Sequence, residues 1–186
     1  MDNVRLTLLL IAGVCAVFGT LGFWIVRRTE RATGFRLSGE SSSTTIVGSD
    51  TGVAPSMLVR EPELGLRGRP DYVLESGEPN ERLLYPLEVK PTRRSQRVYE
   101  SDQLQLAAYL LALRGTAGRR AGSSGYLRYA SGTFRVDLTP ELERRVRETV
   151  ALVRRDRRAV VVHRSHSIRA RCSGCPVRTR CDERLT

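Results

Sequence analysis

The stretch that decides the fold is residues 64–90, LGLRGRPDYVLESGEPNERLLYPLEVK. Its pattern predicts two strands, over residues 64–75 and 82–90, joined by the turn-forming run SGEPN. Successive residues of a strand point to opposite faces, so Glu88 and Lys90 share one face. An antiparallel pairing of the two strands would bring Asp71 close to both of them. The stretch therefore predicts two carboxylates and an ammonium within one small volume.

That set of groups suits the hydrolysis of phosphodiesters. The carboxylates of Asp71 and Glu88, with a backbone carbonyl such as that of Val89, can hold Mg²⁺ or Mn²⁺, which lowers the pKa of a bound water. Lys90 can hold the attacking water or stabilise charge on the phosphoryl oxygens. The alternative is a solvated Glu–Lys pair on a surface strand. Lys90 is the only lysine among 31 basic residues. Its compact point charge is not interchangeable with that of arginine, so the choice of lysine at this position favours the catalytic interpretation.

A helix is predicted over residues 101–114, with Ser101 as its cap and Gly115 as its end. Apolar residues fill nearly all of it, which indicates a buried helix. Gln105 and Tyr109 lie four residues apart and share a face with Asp102. They are either part of the site or a pair that satisfies its hydrogen bonds within the core.

A hairpin follows over residues 125–129 and 133–138, with Ser131 and Gly132 at the turn. A second helix is predicted to begin at Thr139-Pro140 and to run to about Arg155. The order is strand, strand, helix, strand, strand, helix. This order predicts an α/β fold.

The N-terminal region carries 21 uncharged residues, 6–26, enough for a helix of about 31 Å that spans a bilayer. A cleaved signal peptide is the competing interpretation, but the apolar run is long and arginines follow it. Those arginines outnumber the one before the span, which predicts a single-pass protein of the cell membrane with its catalytic domain in the cytoplasm. Trp24 and Cys15 fit an interfacial aromatic and a small apolar residue of the span.

The predicted organisation has four parts: an anchor over residues 1–28, a flexible linker over 29–56, a core over 57–160 and a basic, cysteine-rich segment over 161–186. The linker is assigned because residues 38–56 are small and polar. With 40% hydrophobic residues the chain can build a core, which excludes full disorder.

Positive charge is concentrated at the C-terminal end. The formal net charge is +11, and residues 151–186, with ten arginines and three acidic residues, carry +7 of it. This concentration predicts a polyanionic partner, either nucleic acid or anionic lipid.

The same segment carries Cys172, Cys175 and Cys181 in a C-x2-C-x5-C pattern. In a cytosolic domain this spacing indicates a metal centre rather than a disulfide. Three thiolates are one ligand short of a closed site. The alternatives are an iron–sulfur cluster with a different fourth ligand, a zinc site completed by His163 or His166, or a lost site that remains as a basic segment.

Taken in order, the segments GLRGRPDYVL (65–74), PLEVK (86–90), QLAAY (105–109), GYLRYA (125–130) and the final cysteines resemble the RecB-like PD-(D/E)XK nucleases. Within that class the sequence most resembles the CRISPR-associated exonucleases whose cysteines hold an iron–sulfur cluster. The resemblance covers roughly residues 58–182. It implies a restriction-endonuclease-like core, with a mixed central sheet flanked by helices.

The resemblance also implies roles for individual residues. Asp71 and Glu88 would be metal ligands, Lys90 the catalytic lysine, and Gln105 and Tyr109 active-site supports near the DNA backbone. The implied activity is Mg²⁺- or Mn²⁺-dependent cleavage of DNA, typically from the ends of single strands. The implied cofactor is a 4Fe-4S cluster, with zinc as the alternative, and the implied partners are DNA and proteins of CRISPR adaptation or DNA repair.

Two features depart from that family. An N-terminal helix with a metal-binding His or Glu is missing, although Glu61 or Glu63 could supply an acidic group. A fourth cluster cysteine is also missing, because the remaining cysteine, Cys15, lies in the predicted span. The alternative function is therefore a DNA-binding module that keeps the nuclease fold without catalysis.

Overall fold

The computed structural model describes residues 44–185. They form two compact units that divide between Leu138 and Thr139. The predicted membrane span, residues 6–26, lies outside the described residues. Within residues 44–185, no helix is both long enough and apolar enough to cross a membrane.

Besides a 3₁₀ turn at Gly118–Arg120, the described part of the first unit consists of seven strands and one long helix. These are β1 (Thr45–Ser49), β2 (Val59–Glu61), β3 (Leu66–Gly68), β4 (Tyr72–Ser76), β5 (Leu83–Lys90), α1 (Glu100–Ala117), β6 (Ser124–Tyr129) and β7 (Gly132–Asp137). Five strands form one sheet in the order β1-β4-β5-β6-β7, and β2 pairs with β3 in a second, two-stranded sheet. The pair β5–β6 is parallel and the other pairs are antiparallel, so the central sheet is mixed, as predicted.

Helix α1 makes the crossover that two parallel strands require, from the end of β5 to the start of β6. It buries Leu113 and Ala112 against Val59, Val73 and Leu84. Side chains alternate along β4, so the residues on either side of Val73 belong to another cluster on the opposite face. That cluster contains Tyr72, Leu74, Leu87 and Tyr126.

The predicted strand over residues 64–75 is in fact two strands. β3 ends at Gly68 and β4 begins at Tyr72, with Pro70 between them. Proline has no N–H to donate to a ladder and fixes its own φ, so the chain leaves the first strand before it. β3 pairs with β2, whereas β4 pairs with β5 in the predicted antiparallel sense, with Tyr72 opposite Leu87.

β1 lies within residues 29–56, which the sequence assigned to a flexible linker. It pairs antiparallel with β4, with Ile46 opposite Leu74 and Ser49 opposite Tyr72. An edge strand of five residues is stabilised mainly by backbone hydrogen bonds, which composition does not show. The folded region therefore includes residues well before Met57, where it was expected to begin.

The predicted buried helix is confirmed, but its ends differ. α1 begins at Glu100, without a side-chain cap from Ser101, and continues past Gly115 to Ala117. Gly118 ends it with φ +56°, a conformation that favours glycine. A Cβ atom on Gly115 would lie 2.4 Å from the carbonyl oxygen of Arg60, so that glycine permits the close approach of β2.

The hairpin β6–β7 and the helix after it agree with the prediction. In the second unit, α2 spans Pro140–Asp156, and Thr139 Oγ1 accepts a hydrogen bond from Leu142 N at 3.2 Å. A short helix, α3 (Arg169–Ser173), and a 3₁₀ turn at Arg178–Arg180 follow.

Candidate active site

The carboxylate of Glu88, near the end of β5, is the centre of the site. Its Oε1 accepts hydrogen bonds from Lys90 Nζ and from Gln105 Nε2, both at 2.9 Å. Its Oε2 faces the backbone N–H of Asp71 at 3.4 Å. The side chain is only 7% exposed, so its charge is held by these partners rather than by bulk water.

Asp71 lies in the bend that leads into β4, not in the strand itself. Its Oδ2 accepts a hydrogen bond from Val89 N at 2.8 Å. This bond joins the bend to the C-terminal end of β5. The β4–β5 register makes this contact possible, because Tyr72 is paired with Leu87. The two predicted carboxylates therefore meet at one end of the central sheet.

Helix α1 adds Gln105 and Tyr109 to the same place. Gln105 Nε2 donates to Glu88 and also lies 3.4 Å from Tyr109 Oη. A Cβ atom on Gly68 would lie 2.6 Å from Tyr109 Cε1. The tyrosine ring thus packs directly on the backbone of β3, and only glycine leaves room for it.

Burial and charge act in opposite directions on these groups. Burial raises the pKa of Glu88, aided by the negative charge of Asp71 and opposed by the hydrogen bond from Lys90. Burial lowers the pKa of Lys90, but its hydrogen bond to Glu88 and the charges of Glu88, Asp102 and Asp71 outweigh it, so the net shift is upward. Burial also raises the pKa of Tyr109. Lys90 is therefore a cation throughout the physiological range.

A second cluster, centred on the buried carboxylate of Asp102, lies beside the site, and the sequence pattern did not reveal it. Tyr129 Oη donates to Asp102 Oδ2 at 2.7 Å and accepts from Tyr99 N at 3.1 Å. Arg93 Nε lies 3.3 Å from the same carboxylate oxygen, and its guanidinium stacks 4.4 Å from the centre of the Tyr99 ring. An acidic residue within an apolar helix is the signal that could have pointed to it, because a buried carboxylate needs partners.

This cluster holds residues 91–99, the connection between β5 and α1. Arg93 N donates to Lys90 O at 3.1 Å, and Ala130 N donates to Arg93 O at 2.8 Å. The connection joins Lys90 directly to the helix that carries Gln105. The cluster therefore fixes the relative position of two of the site's side chains.

Glu61 and Glu63, the candidates for an additional acidic group, do not join the site. Glu61 Oε2 would lie 2.6 Å from a Cβ atom on Gly115, and Glu63 N donates to Glu61 Oε1 at 3.3 Å. Gly115 lies ten residues after Gln105 in one helix, which is about 15 Å along the axis. Both glutamates are thus at the far end of α1.

The predicted cysteines lie in the second unit. Cys172, Cys175 and Cys181 are free thiols that line one cavity. Among residues 44–185, no group of three or more His, Cys, Asp or Glu side chains is arranged to hold a metal ion. Neither the predicted iron–sulfur cluster nor its alternative, a zinc site, therefore has support in the described part of the chain.

At one end of this mixed sheet, an aspartate and a glutamate supply the hard oxygen ligands that divalent ions prefer, beside the cationic Lys90. The chain belongs to the PD-(D/E)XK nuclease superfamily, whose family model matches residues 18–182. Membership implies a metal-dependent nuclease, which agrees with the chemistry predicted for Asp71, Glu88 and Lys90.

Comparison with individual proteins adds little. No curated protein matches the chain. A solved structure titled "Crystal structure of SSO0001" is similar over 99% of this chain and 80% of that chain, with 16% sequence identity and a TM-score of 0.44. A likeness at that level supports no conclusion about function.

Proposed function

We propose that this protein is a metal-dependent deoxyribonuclease that cleaves single-stranded DNA from its ends. The observation that carries the proposal is the position of Glu88. One of its oxygens binds Lys90 and Gln105, and the other faces the backbone of Asp71. A solvated Glu–Lys pair would not be buried or bound to a glutamine from a neighbouring helix.

The residues present fit Mg²⁺ or Mn²⁺. The carboxylates of Asp71 and Glu88, with the carbonyl of Val89, supply the hard oxygen ligands that these ions prefer. Asp71 accepts the hydrogen bond from Val89 N at Oδ2, so its other oxygen, Oδ1, can serve as a ligand. When bound, the ion polarises the phosphate and lowers the pKa of its water.

The chain's own groups complete the chemistry. Lys90, held at Glu88, places a cation where it can orient the attacking water or stabilise the negative charge that builds on the phosphoryl oxygens. Gln105 fixes the orientation of the Glu88 carboxylate. Tyr109, packed on Gly68, holds the helix against β3 and keeps Gln105 within reach.

Two features support DNA as the substrate and an end-directed mode of cleavage. The segment over residues 151–186 carries +7 of the +11 net charge, which favours a polyanion. The ordered motifs resemble the CRISPR-associated exonucleases, which act on single strands. On the same resemblance, the partners would be proteins of CRISPR adaptation or DNA repair.

The test uses the full-length protein in detergent with end-labelled linear and closed circular single-stranded DNA. We expect degradation of the linear strand with Mn²⁺, none in EDTA, and an intact circle. Lys90→Ala should lower the rate by about 100-fold or more, the usual effect of losing one charge-stabilising group. Arg135→Ala removes one positive charge from an exposed position on β7 and should leave the rate unchanged.

The outcomes separate the possible functions. Salt-sensitive DNA binding without cleavage in any divalent ion would show a binding module instead of a nuclease. Cleavage of the circle would exclude the exonuclease assignment while keeping the nuclease. An unchanged rate in Lys90→Ala would remove Lys90 from the mechanism.

We also propose that residues 6–26 tether the protein to the cell membrane, with its catalytic domain in the cytoplasm. The support is the length of the uncharged run and the arginines that follow it. The full-length protein should stay in the membrane fraction after alkaline carbonate extraction, and deletion of residues 1–28 should release it. Extraction of the intact chain by carbonate would contradict the tether.

A further inference from the structure

The connection between β5 and α1 presents an aromatic ring and an arginine side by side at the surface. The guanidinium carbon of Arg93 lies 4.4 Å from the centre of the Tyr99 ring. The side chain of Arg93 is 42% exposed, and Tyr99 is 43% exposed. These two side chains, the Arg93–Tyr99 stack, form a flat and partly open surface that is not part of the catalytic set.

The Arg93–Tyr99 stack lies directly beside Lys90. A tight turn joins the two, in which Arg93 N donates to Lys90 O at 3.1 Å. The Cα atoms at the two ends of such a turn lie within about 7 Å of each other. Lys90 itself binds Glu88 at 2.9 Å. A DNA strand with a phosphate at Lys90 therefore has its neighbouring nucleotides within reach of the stack.

The Arg93–Tyr99 stack is held in place from several sides. Arg93 Nε lies 3.3 Å from Asp102 Oδ2, and Ala130 N donates to Arg93 O at 2.8 Å. Tyr99 N donates to Tyr129 Oη at 3.1 Å. A surface that is already ordered loses little conformational entropy when a ligand binds to it. The stack is therefore prepared for a flat ligand.

Unpaired nucleobases are flat ligands of this kind. They stack on aromatic rings and on the guanidinium planes of arginines. The sugar–phosphate chain that follows them needs positive charge, and residues 91–99, PTRRSQRVY, contain three arginines and no acidic residue. Two of these arginines, Arg94 and Arg97, are exposed. Bases within a duplex are stacked on each other, so such a surface favours single strands.

We propose that the Arg93–Tyr99 stack binds an unpaired base of the DNA strand beside Lys90 and thereby selects single-stranded over double-stranded DNA. The proposal rests on the nuclease function proposed above for the course of the strand past Lys90. The stack discriminates little between the four bases, because each of them has a π-face. Its role is to position the strand, since neither side chain takes part in the chemical step.

The test is the affinity of the full-length protein for single-stranded and duplex oligonucleotides, measured by fluorescence anisotropy in EDTA so that the DNA stays intact. Tyr99→Leu removes the ring but keeps the backbone hydrogen bond to Tyr129. It should weaken single-strand binding by about 5- to 150-fold, the effect of losing one stacked base, and leave duplex binding unchanged.

Conservative variants separate stacking from a purely structural role. Tyr99→Phe and Tyr99→Trp keep an aromatic ring and should bind single strands like the wild type. Arg93→Lys keeps the positive charge beside Asp102 but lacks the planar group, and should weaken single-strand binding. Arg135→Ala, which removes a positive charge from an exposed position on β7, is the control and should bind single strands like the wild type.

A fluorescent base reports the contact directly. Oligonucleotides with 2-aminopurine at successive positions from one end should show quenching at one position, because stacking on an aromatic ring quenches this base. Tyr99→Leu should lose that quenching. Wild-type single-strand affinity in Tyr99→Leu or in Arg93→Lys, an equal loss of duplex affinity, or unchanged quenching in Tyr99→Leu would overturn the proposal.

Failure of this proposal and failure of the nuclease function give different results. Cleavage by the wild type together with unchanged binding in Tyr99→Leu would refute the base-binding role alone. Loss of single-strand binding in Tyr99→Leu, without cleavage by the wild type in any divalent ion, would support the base-binding role and refute the nuclease.

Discussion

The hydroxyl of Tyr129 offers a direct test of how the connection between β5 and α1 is held. Tyr129→Phe removes one oxygen and leaves the ring, which packs on Phe134 with centroids 5.3 Å apart. It deletes the 2.7 Å bond to Asp102, a carboxylate that is 5% exposed, and leaves Tyr99 N without its acceptor. Arg93 remains as the main partner of the buried charge.

The expected loss follows from these two bonds. A hydrogen bond to a charged group contributes about 1.5–3 kcal/mol to stability and a neutral one about 1 kcal/mol. Tyr129→Phe should therefore lower the free energy of unfolding by about 2.5–4 kcal/mol. At about 2–4 °C per kcal/mol for a domain of this size, Tm should fall by roughly 5–16 °C.

Thermal and urea unfolding of the full-length protein measure this change. Tyr72→Phe is the matched control, because it removes the hydroxyl of another buried tyrosine that lies outside the cluster around Asp102. We expect it to lower the free energy of unfolding by less than Tyr129→Phe does. If Tyr129→Phe lowers Tm no more than Tyr72→Phe does, the Asp102–Tyr129 bond does not hold residues 91–99. The cluster then does not fix the position of Lys90 relative to Gln105.

Further substitutions test other contacts. Gly68→Ala places a methyl group 2.6 Å from Tyr109 Cε1. It should lower the free energy of unfolding by about 1–3 kcal/mol and remove most of the nuclease activity. Gly174→Ala, whose added methyl group would have no atom within 4 Å, should change neither stability nor activity. Gly115→Ala should lower Tm despite the better helix propensity of alanine, because its Cβ would meet Arg60 O at 2.4 Å; a rise in Tm would contradict that contact. Thr139→Ala removes the cap of α2 and should cost about 1 kcal/mol in urea unfolding, with Thr139→Ser close to the wild type.

Much of the first unit was predictable because its signals are local. The buried helix was evident from its apolar length, and the hairpin β6–β7 from its turn residues. β1 was not predictable, because its stability comes from pairing with β4 across a distance in sequence. The split at Pro70 was missed because the apolar pattern continues across a residue that cannot join a ladder.

The candidate site shows the same division. The alternation of side chains along β5 sufficed to place Glu88 and Lys90 on one face, and helical spacing sufficed to pair Gln105 with Tyr109. The Asp102–Tyr129–Arg93 cluster escaped prediction because its members come from a helix, a strand and a connection that meet only after folding.

By itself, the sequence determined the types of chemical group available: a single lysine within a Glu-x-Lys pair, an aspartate 17 residues before its glutamate, and three cysteines in an arginine-rich segment. The tertiary structure alone decided which of them meet. It directed Gln105 onto Glu88 and placed Glu61 and Glu63 away from the site. The physical reason is that residue type sets what a group can bind, whereas burial and the register of distant strands set which partner it finds.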